Sequence, residues 1–371
     1  MDIVQTVLHN FFSFIFIISV IVFIHEFGHF IVARWCGVKV EQFSIGFGKE
    51  LFGFVDKKGT RWKICLMPMG GYVKMFGDRN AASVPDNEMI AKMSEKDKKI
   101  SFIAKNVYQR MAIVVAGPVA NFLLAIVIFT FMFSVRGENT VLPIIDVVMK
   151  ESAAEKSGLK KGDEILFIDE KKIEDFSALA GIISSTNEGK VLDFKIMRNK
   201  KVLDIAVTPI IKTRKDIFGD QVKIPTIGIS ASQIVERQLN IFQSFVKANK
   251  ETYTISKAIF SAIGDLVTGN RSVKELGGPI KIAKYSGKTV SSGFWMVIWF
   301  MAMISINLGV MNLLPVPVLD GGHLFYYIVE LVKGKPLSRN IQDFGYKAGL
   351  ALVMTLMVLT TFNDVSGLFG Y

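Results

Sequence analysis

Polar and apolar positions along this chain fall in long blocks rather than in short alternation. Four apolar runs stand out, at about 7–32, 111–135, 294–319 and 348–362. A run of about 20 such residues crosses a hydrocarbon core as a helix; the fourth run is shorter and needs the flanking 344–347 to reach across. No Lys or Arg precedes the first run, which exits into Arg34, Lys39 and Lys49; Lys105 and Arg110 lead into the second, and Lys333, Lys335 and Arg339 lie between the third and fourth. The positive-inside rule then places both termini outside the cytosol and these basic loops within it.

The intervening blocks carry their own periodicities. FGKELFGFVDKKGTRWKICLMPMGGYVKMFG (47–77) holds two strand-like runs joined at DKKGT, the second alternating Trp62, Ile64 and Leu66 against Arg61, Lys63 and Cys65. That pattern predicts a β-hairpin close to the cytosolic face of the membrane. Residues 80–100 read as a polar, partly helical linker. A strand at VLPIIDVV, a short helix, a Gly turn and a strand in 152–173, an amphipathic helix at DFSALAGIISSTN and a hairpin turned at RNKK form one α/β module of about 80 residues. Beyond it, about 237–290 predicts amphipathic helix lying along the membrane, with KELGGPIKIAKYSG as a loop. The expected fold is a polytopic α-helical membrane protein with about four transmembrane helices. Its segments are a first span (1–34), a cytosolic-side β-structured loop (35–109), a second span (110–136), the extracytoplasmic module (137–212), an amphipathic linker (213–292), a third span (293–322), and a cytosolic loop with the fourth span (323–371).

Composition agrees with a membrane protein. Half of the 371 residues are hydrophobic, too many for an ordinary soluble domain. The net charge of +11 lies mostly between the apolar runs, where topology and anionic lipid account for it, and no basic stripe with interleaved aromatics points to nucleic acid. The two cysteines, Cys36 and Cys65, have no metal-type spacing and read as reduced cytosolic thiols. The N-terminus lacks the basic region of a signal peptide, so the first run is expected to be retained.

The candidate chemistry sits at HEFGH, residues 25–29, at the end of the first run. His25 and His29 stand about 40° apart on one helix face, so both imidazoles can share a metal, with Glu26 beside them as a base toward water. Such side chains are costly near membrane depth and normally face a protein interior or a water-filled cavity. Two of the chain's 4 histidines lie in this motif, and Gly28 thins the helix there. A third ligand is offered by NLGVMNLLPVPVLDGGH (307–323), as Asp320 or His323; spacing alone does not choose between them, and a helix end with both in water is the plain alternative. Pro315 and Pro317 break the helix, and Gly321 and Gly322 permit a sharp turn, so the backbone is suited to line a cavity. Asn121, Asn307 and Asn312 are amides within apolar spans, a setting in which bridging helices is the commoner role. Asn312 is the best placed of them to bond a substrate backbone or a developing oxyanion.

These residues resemble the site-2 protease family of intramembrane zinc metalloproteases, and more closely its bacterial sigma-E regulator branch. HEFGH, FSIGFGKE (43–50), MPMGGYVKMFGD (67–78), GPVANFLLA (117–125), GGPIKIAKYSG (277–287) and NLLPVPVLDGG (312–322) occur in the family's order across nearly the whole chain. The resemblance implies His25, His29 and Asp320 as zinc ligands, Glu26 as general base and Asn312 as a substrate-orienting amide. It also implies membrane-associated β-structure at 43–77 and a PDZ module at about 140–212. Pro315, Pro317, Gly70 and Gly71 are further candidate substrate contacts. In IPTIGIS (224–230), Ile227, Gly228 and Ile229 are candidates for a peptide-carboxylate loop, with an ordinary core strand as the other reading. The chain has a single module where some close relatives carry two in tandem, and it carries Lys49 after Gly48, where relatives often have Pro.

The expected activity is zinc-dependent cleavage of transmembrane segments of single-pass proteins in the bacterial cytoplasmic membrane, as in regulated intramembrane proteolysis of an anti-sigma factor or a remnant signal peptide. The rival classes are a metal transporter, against which stand the few spans and the lack of an inverted repeat, and a non-catalytic adaptor presenting its PDZ module, which has no need of Glu26.

Overall fold

The computed structural model describes residues 3–78, 93–187, 189–215, 221–269 and 277–368. The chain divides into two compact units, Met1–Met132 with Gln243–Tyr371, and Phe133–Phe242.

Helix α1 (Ile3–Trp35) is an apolar helix of 33 residues without proline, about 50 Å long at 1.5 Å per residue. It leads into β1 (Val40–Val55) and β2 (Arg61–Met75). These make more than the simple hairpin expected. Residues 42–45 pair on one side with 61–64 and on the other with 71–74, while 50–55 pair with 61–65, so the two long strands fold over into four adjacent ribbons. The folds fall near Gly46, Gly48 and Gly70, whose φ values of 85°, 88° and 102° disfavour a side chain. An aromatic cluster fixes this sheet to α1, with Phe43 stacked on Trp62 at 4.3 Å and Phe30 edge-on to Trp62 at 5.0 Å. The expected alternation in β2 reverses in burial. Cys65 is buried, whereas Ile64 and Leu66 face outward with Leu51, Phe52 and Phe54, an apolar surface suited to lipid.

The turn at 56–60 is tied to the end of α1. Asp56 Oδ1 accepts the N–H groups of Lys58 (2.8 Å) and Thr60 (2.9 Å), while Arg34 donates to Asp56 Oδ2 at 3.2 Å and to Thr60 Oγ1 at 3.1 Å. Of the expected linker, 80–92 lie outside the described residues; α2 (Glu95–Ile100) is helical as anticipated and is capped by Ser94. Helix α3 (Val107–Arg136) carries Gly117 and Pro118 in its interior.

The second unit holds β3 (Glu138–Val141), β4 (Val147–Val148), α4 (Ala153–Lys156), β5 (Glu164–Ile168), β6 (Lys171–Lys172), α5 (Phe176–Ser184), β7 (Leu192–Arg198), β8 (Lys201–Val207), β9 (Ile210–Lys215), β10 (Gln221–Thr226), β11 (Ile229–Ser230) and β12 (Ile234–Arg237). Its main sheet has the order β6-β5-β7-β8, with β7 and β8 joined at Asn199 and Lys200, both at positive φ as a tight hairpin turn requires. Leu179 and Ile183 of α5 pack on Ile165, Ile168, Leu192, Phe194 and Ile196. Two expectations are corrected. The strand expected at 141–148 is interrupted at Pro143, so its two ends pair with β12 and β11 while its middle meets β5 only through the single bridge of Ile144 with Glu164. The module also extends past residue 212, because Ile227 is buried in the same core.

Helix α6 (Ile241–Val267) is amphipathic as expected, burying Ser244, Ala248 and Thr252 and exposing Phe242, Phe245 and Tyr253. The motif expected as a loop is instead α7 (Pro279–Ser291), opened by proline at the first helical turn; residues 274–276 of that expected loop lie outside the described residues. The N-terminal amides left without partners in the helix are satisfied from afar, since Asp364 accepts from Gly278 (2.9 Å), Ile280 (3.0 Å) and Lys281 (3.0 Å). Helix α8 (Phe294–Asn312) stops seven residues short of the expected end at 319, because Pro315 and Pro317 have no N–H to continue it. Helix α9 (Asp320–Lys333) follows, and α10 (Arg339–Leu368) is longer than its apolar run because its first two turns are polar. Four of these helices are long and apolar enough to cross a membrane: Val4–Trp35, Val107–Arg136, Phe294–Asn312 and Asn340–Ser366.

Candidate metal centre

Helix α1 turns His25, Glu26 and His29 inward, all less than a tenth exposed. The two Nε2 atoms lie 3.3 Å apart, and Asp320 Oδ2 lies 3.2 Å from that of His25 and 3.5 Å from that of His29. One ligand atom from each of the three falls within 4.8 Å of the others. His29 Nδ1 donates to the carbonyl of Ile113 at 2.8 Å, which fixes that ring and turns Nε2 toward the group. Asp320 stands in the first turn of α9, where the helix dipole favours a carboxylate.

Small residues make this convergence possible. A Cβ on Gly117 would overlap His29 Nε2 and lie 2.9 Å from His25 Cε1, so only glycine leaves room for both rings beside α3. Gly28 presses on α3 from the other side, against the Ala116 carbonyl and Ala120. Gly321 and Gly322 are not the sharp turn expected of them. They sit inside the first turn of α9, where a side chain would strike the carbonyls of Leu313, Leu314 and Val316, so they bring Asp320 in by close approach.

Zinc sites combine imidazole nitrogens with a carboxylate, and this donor set has that composition. Asp320 Oδ2 is buried and receives no hydrogen bond among the described residues, and three lone-pair-bearing atoms crowd together, which a divalent cation would reconcile. The residues present therefore fit zinc.

The other expected positions scatter. His323, the competing ligand, is outside the group. Gly71 passes directly beside Glu26, since a Cβ there would meet its Cγ at 3.0 Å, and Gly70 stands against Phe47. Asn312, at the end of α8, is half-buried and makes no side-chain hydrogen bond among the described residues. Pro315 is exposed, whereas Pro317 packs toward α10, 3.1 Å from where a Cβ on Gly349 would lie. Asn307 is exposed. Of the residues considered for a peptide-carboxylate loop, Ile227 is a core side chain whose carbonyl accepts from Ala154 (2.9 Å). The Gly228 carbonyl accepts from Met149 (2.9 Å), the Gly228 N–H is taken by Thr226 Oγ1 (3.3 Å), and Ile229 pairs with Val148. That wiring is that of a core-edge strand and turn.

Sequence reasoning missed Gly117 as a site residue and set Asn121 aside as a helix bridge. Asn121 lies 3.1 Å from His25 Nδ1. The available signal was their spacing: four residues apart in GPVAN, they share one face of α3.

A family model described as Peptidase family M50 matches residues 13–356. A candidate zinc metalloprotease of Agrobacterium fabrum is 38% identical over 364 residues, covering 96% of each chain. Metalloprotease MmpA of Caulobacter vibrioides is 34% identical over 377 residues, covering 95% of this chain and 94% of its own. Among solved structures, the PDZ domain of the SdrC-like protein of Listeria innocua aligns with 26% of this chain and 99% of its own, at 21% identity and a TM-score of 0.21.

Proposed function

Because the chain belongs to peptidase family M50 and is a bacterial zinc metalloprotease of the site-2 type, we propose that it hydrolyses a peptide bond within or beside a transmembrane segment of another membrane protein. The observation that carries this reading is the meeting of two imidazole nitrogens and one aspartyl oxygen within 4.8 Å, next to a buried glutamate on a membrane-length helix.

His25, His29 and Asp320 are the residues that would hold zinc. When bound, zinc supplies Lewis acidity toward a carbonyl oxygen and toward water. Glu26 takes the proton of the attacking water at its carboxylate and returns it to the leaving amine. Asn312, whose amide has no hydrogen-bond partner among the described residues, bonds the substrate backbone or the oxygen that becomes negative. The low exposure of the site keeps bulk water from competing for these contacts.

A transmembrane helix hides its carbonyls in its own hydrogen bonds, so the substrate must open locally. The ribbon edge at Gly70 and Gly71, beside Glu26, suits an extended segment added as a strand. The α/β module, PDZ-like in this reading, lies on the extracytoplasmic side with both termini and screens substrates by bulk or by a free C-terminus; the bilayer is the cytoplasmic membrane. Substrates of this kind include an anti-sigma factor or a remnant signal peptide.

The test is Glu26→Gln in the full-length chain. It is expected to bind zinc as the wild type does, lose cleavage of a transmembrane reporter, and accumulate crosslinked membrane peptides. Cleavage at the wild-type rate would refute the assignment of Glu26, whereas a pure adaptor would cleave the reporter in neither form.

A further inference from the structure

The mechanism above leaves the buried amide of Asn121 without a task. The residue is 0% exposed, its Nδ2 lies 3.1 Å from His25 Nδ1, and its Oδ1 has no hydrogen-bond partner among the described residues. Ser305 Oγ donates to the Asn121 backbone carbonyl at 2.8 Å, tying α3 to α8 at this level and fixing where the side chain starts.

Proton accounting around His25 gives the amide a role. If Nδ2 donates to His25 Nδ1, that nitrogen is bare and the ring proton sits on Nε2. Nε2 is the atom 3.2 Å from Asp320 Oδ2 and 3.3 Å from His29 Nε2. A nitrogen that carries hydrogen has no lone pair to offer a metal. His29 is already arranged otherwise. A backbone carbonyl can only accept, so the 2.8 Å contact from His29 Nδ1 to Ile113 keeps its proton on Nδ1 and leaves Nε2 free.

Turning the Asn121 amide by 180° exchanges two groups of nearly equal size within the same cavity. Oδ1 then receives a hydrogen from His25 Nδ1, the orphaned acceptor is satisfied, and the two histidines become the same tautomer. The three inward atoms then meet with lone pairs only. We propose that Asn121 is a positioning residue that selects the Nδ1–H tautomer of His25 through its amide oxygen and so opens Nε2 to the ion. The inference rests on the zinc-protease reading and refines it by giving each histidine a fixed acceptor, one from backbone and one from a side chain.

The experiment compares zinc affinity in the full-length, detergent-solubilised wild type, Asn121→Leu, Asn121→Asp and His25→Ala. A chromophoric chelator competes for zinc, and the midpoint of thermal unfolding without metal is followed in parallel. Leucine keeps the volume and removes the acceptor; aspartate presents oxygen on both arms of the same shape. Asn121→Leu is expected to weaken zinc binding about 10–100-fold, and Asn121→Asp to restore or tighten it, in an order that the metal-free midpoints do not follow. Wild-type affinity in Asn121→Leu overturns the proposal, as does Asn121→Asp binding as weakly as Asn121→Leu, because then the amide nitrogen is the working atom. A readout that needs no altered chain is nitrogen NMR of the zinc-loaded wild type labelled in its 4 histidines: His25 is expected to be protonated at Nδ1, and protonation at Nε2 overturns the proposal. Failure of the underlying reading looks different: the wild type would bind no zinc, or His25→Ala would bind it equally well.

Discussion

Gly117→Ala adds one methyl group at the tightest point of the metal centre. The new carbon would lie 2.5 Å from His29 Cε1 and 2.9 Å from His25 Cε1, with His29 Nε2 nearer still. Ordinary carbon contacts are about 3.5–4.0 Å, so one or both rings must move by about 1 Å. Metal–ligand distances tolerate only about 0.2 Å, and a misplacement of about 1 Å typically costs about 100-fold in rate. The expected result is a chain with sub-stoichiometric zinc and cleavage reduced at least about 100-fold. The metal-free fold should not suffer in proportion, because alanine favours a helix over glycine by about 1 kcal/mol. Elemental analysis, cleavage of a transmembrane reporter and unfolding of the metal-free protein measure the three quantities. Wild-type zinc content and turnover in Gly117→Ala would refute the packing argument, and a collapse of the metal-free fold would show that the glycine serves the helix pair rather than the ligands.

Gly181→Ala in α5 is the control, since a Cβ there meets nothing within 4 Å. It should leave cleavage unchanged and raise the stability of its module by up to about 1 kcal/mol, read by denaturant unfolding. Asp364→Ala removes the acceptor of three amide hydrogens at the start of α7. Each such bond to a charged group is worth about 1.5–3 kcal/mol, so hydrogen exchange at Gly278, Ile280 and Lys281 should quicken at least about 10-fold; unchanged exchange would deny the cap. Burial opposes the charge on Asp56, yet hydrogen bonds from Thr60, Trp62 and Lys58, with Arg34 alongside, hold its carboxyl below the usual range. A depressed carboxylate contributes stability that is complete above its unfolded pKa and is lost as pH falls through the folded one. The turn should therefore stay closed at neutral pH and loosen below about pH 4, as reported by Trp62 fluorescence, with Asp56→Asn already loosened at pH 7.

What the sequence disclosed follows from the range over which each signal acts. Transmembrane length and the HEFGH periodicity are local, so α1, α3 and the ligand-bearing face of α1 were legible, as was a helix break near Pro315. Features that depend on a distant partner were not. The α7 segment reads as loop because its cap, Asp364, lies more than 80 residues away. The curled sheet reads as a hairpin because pairing of 42–45 with two segments at once leaves no mark on alternation. Cys65 and Ile64 exchanged their expected faces for a related reason: the outward surface of this sheet is itself apolar, so hydropathy does not tell inside from outside. Gly117 was silent because what it supplies is an absence of atoms, visible only once the imidazoles are in place.

The cap on α7 also bears on how the protein is made. Gly278, Ile280 and Lys281 leave the ribosome 83 to 86 residues before Asp364. Until then their amide hydrogens have no carboxylate to receive them, so α7, whose Gly287 lies against His9 and Asn10 of α1, is finished only after α10 has been made. A nascent chain halted between α9 and α10 would already hold every proposed zinc ligand, with the helix beside α1 still uncapped.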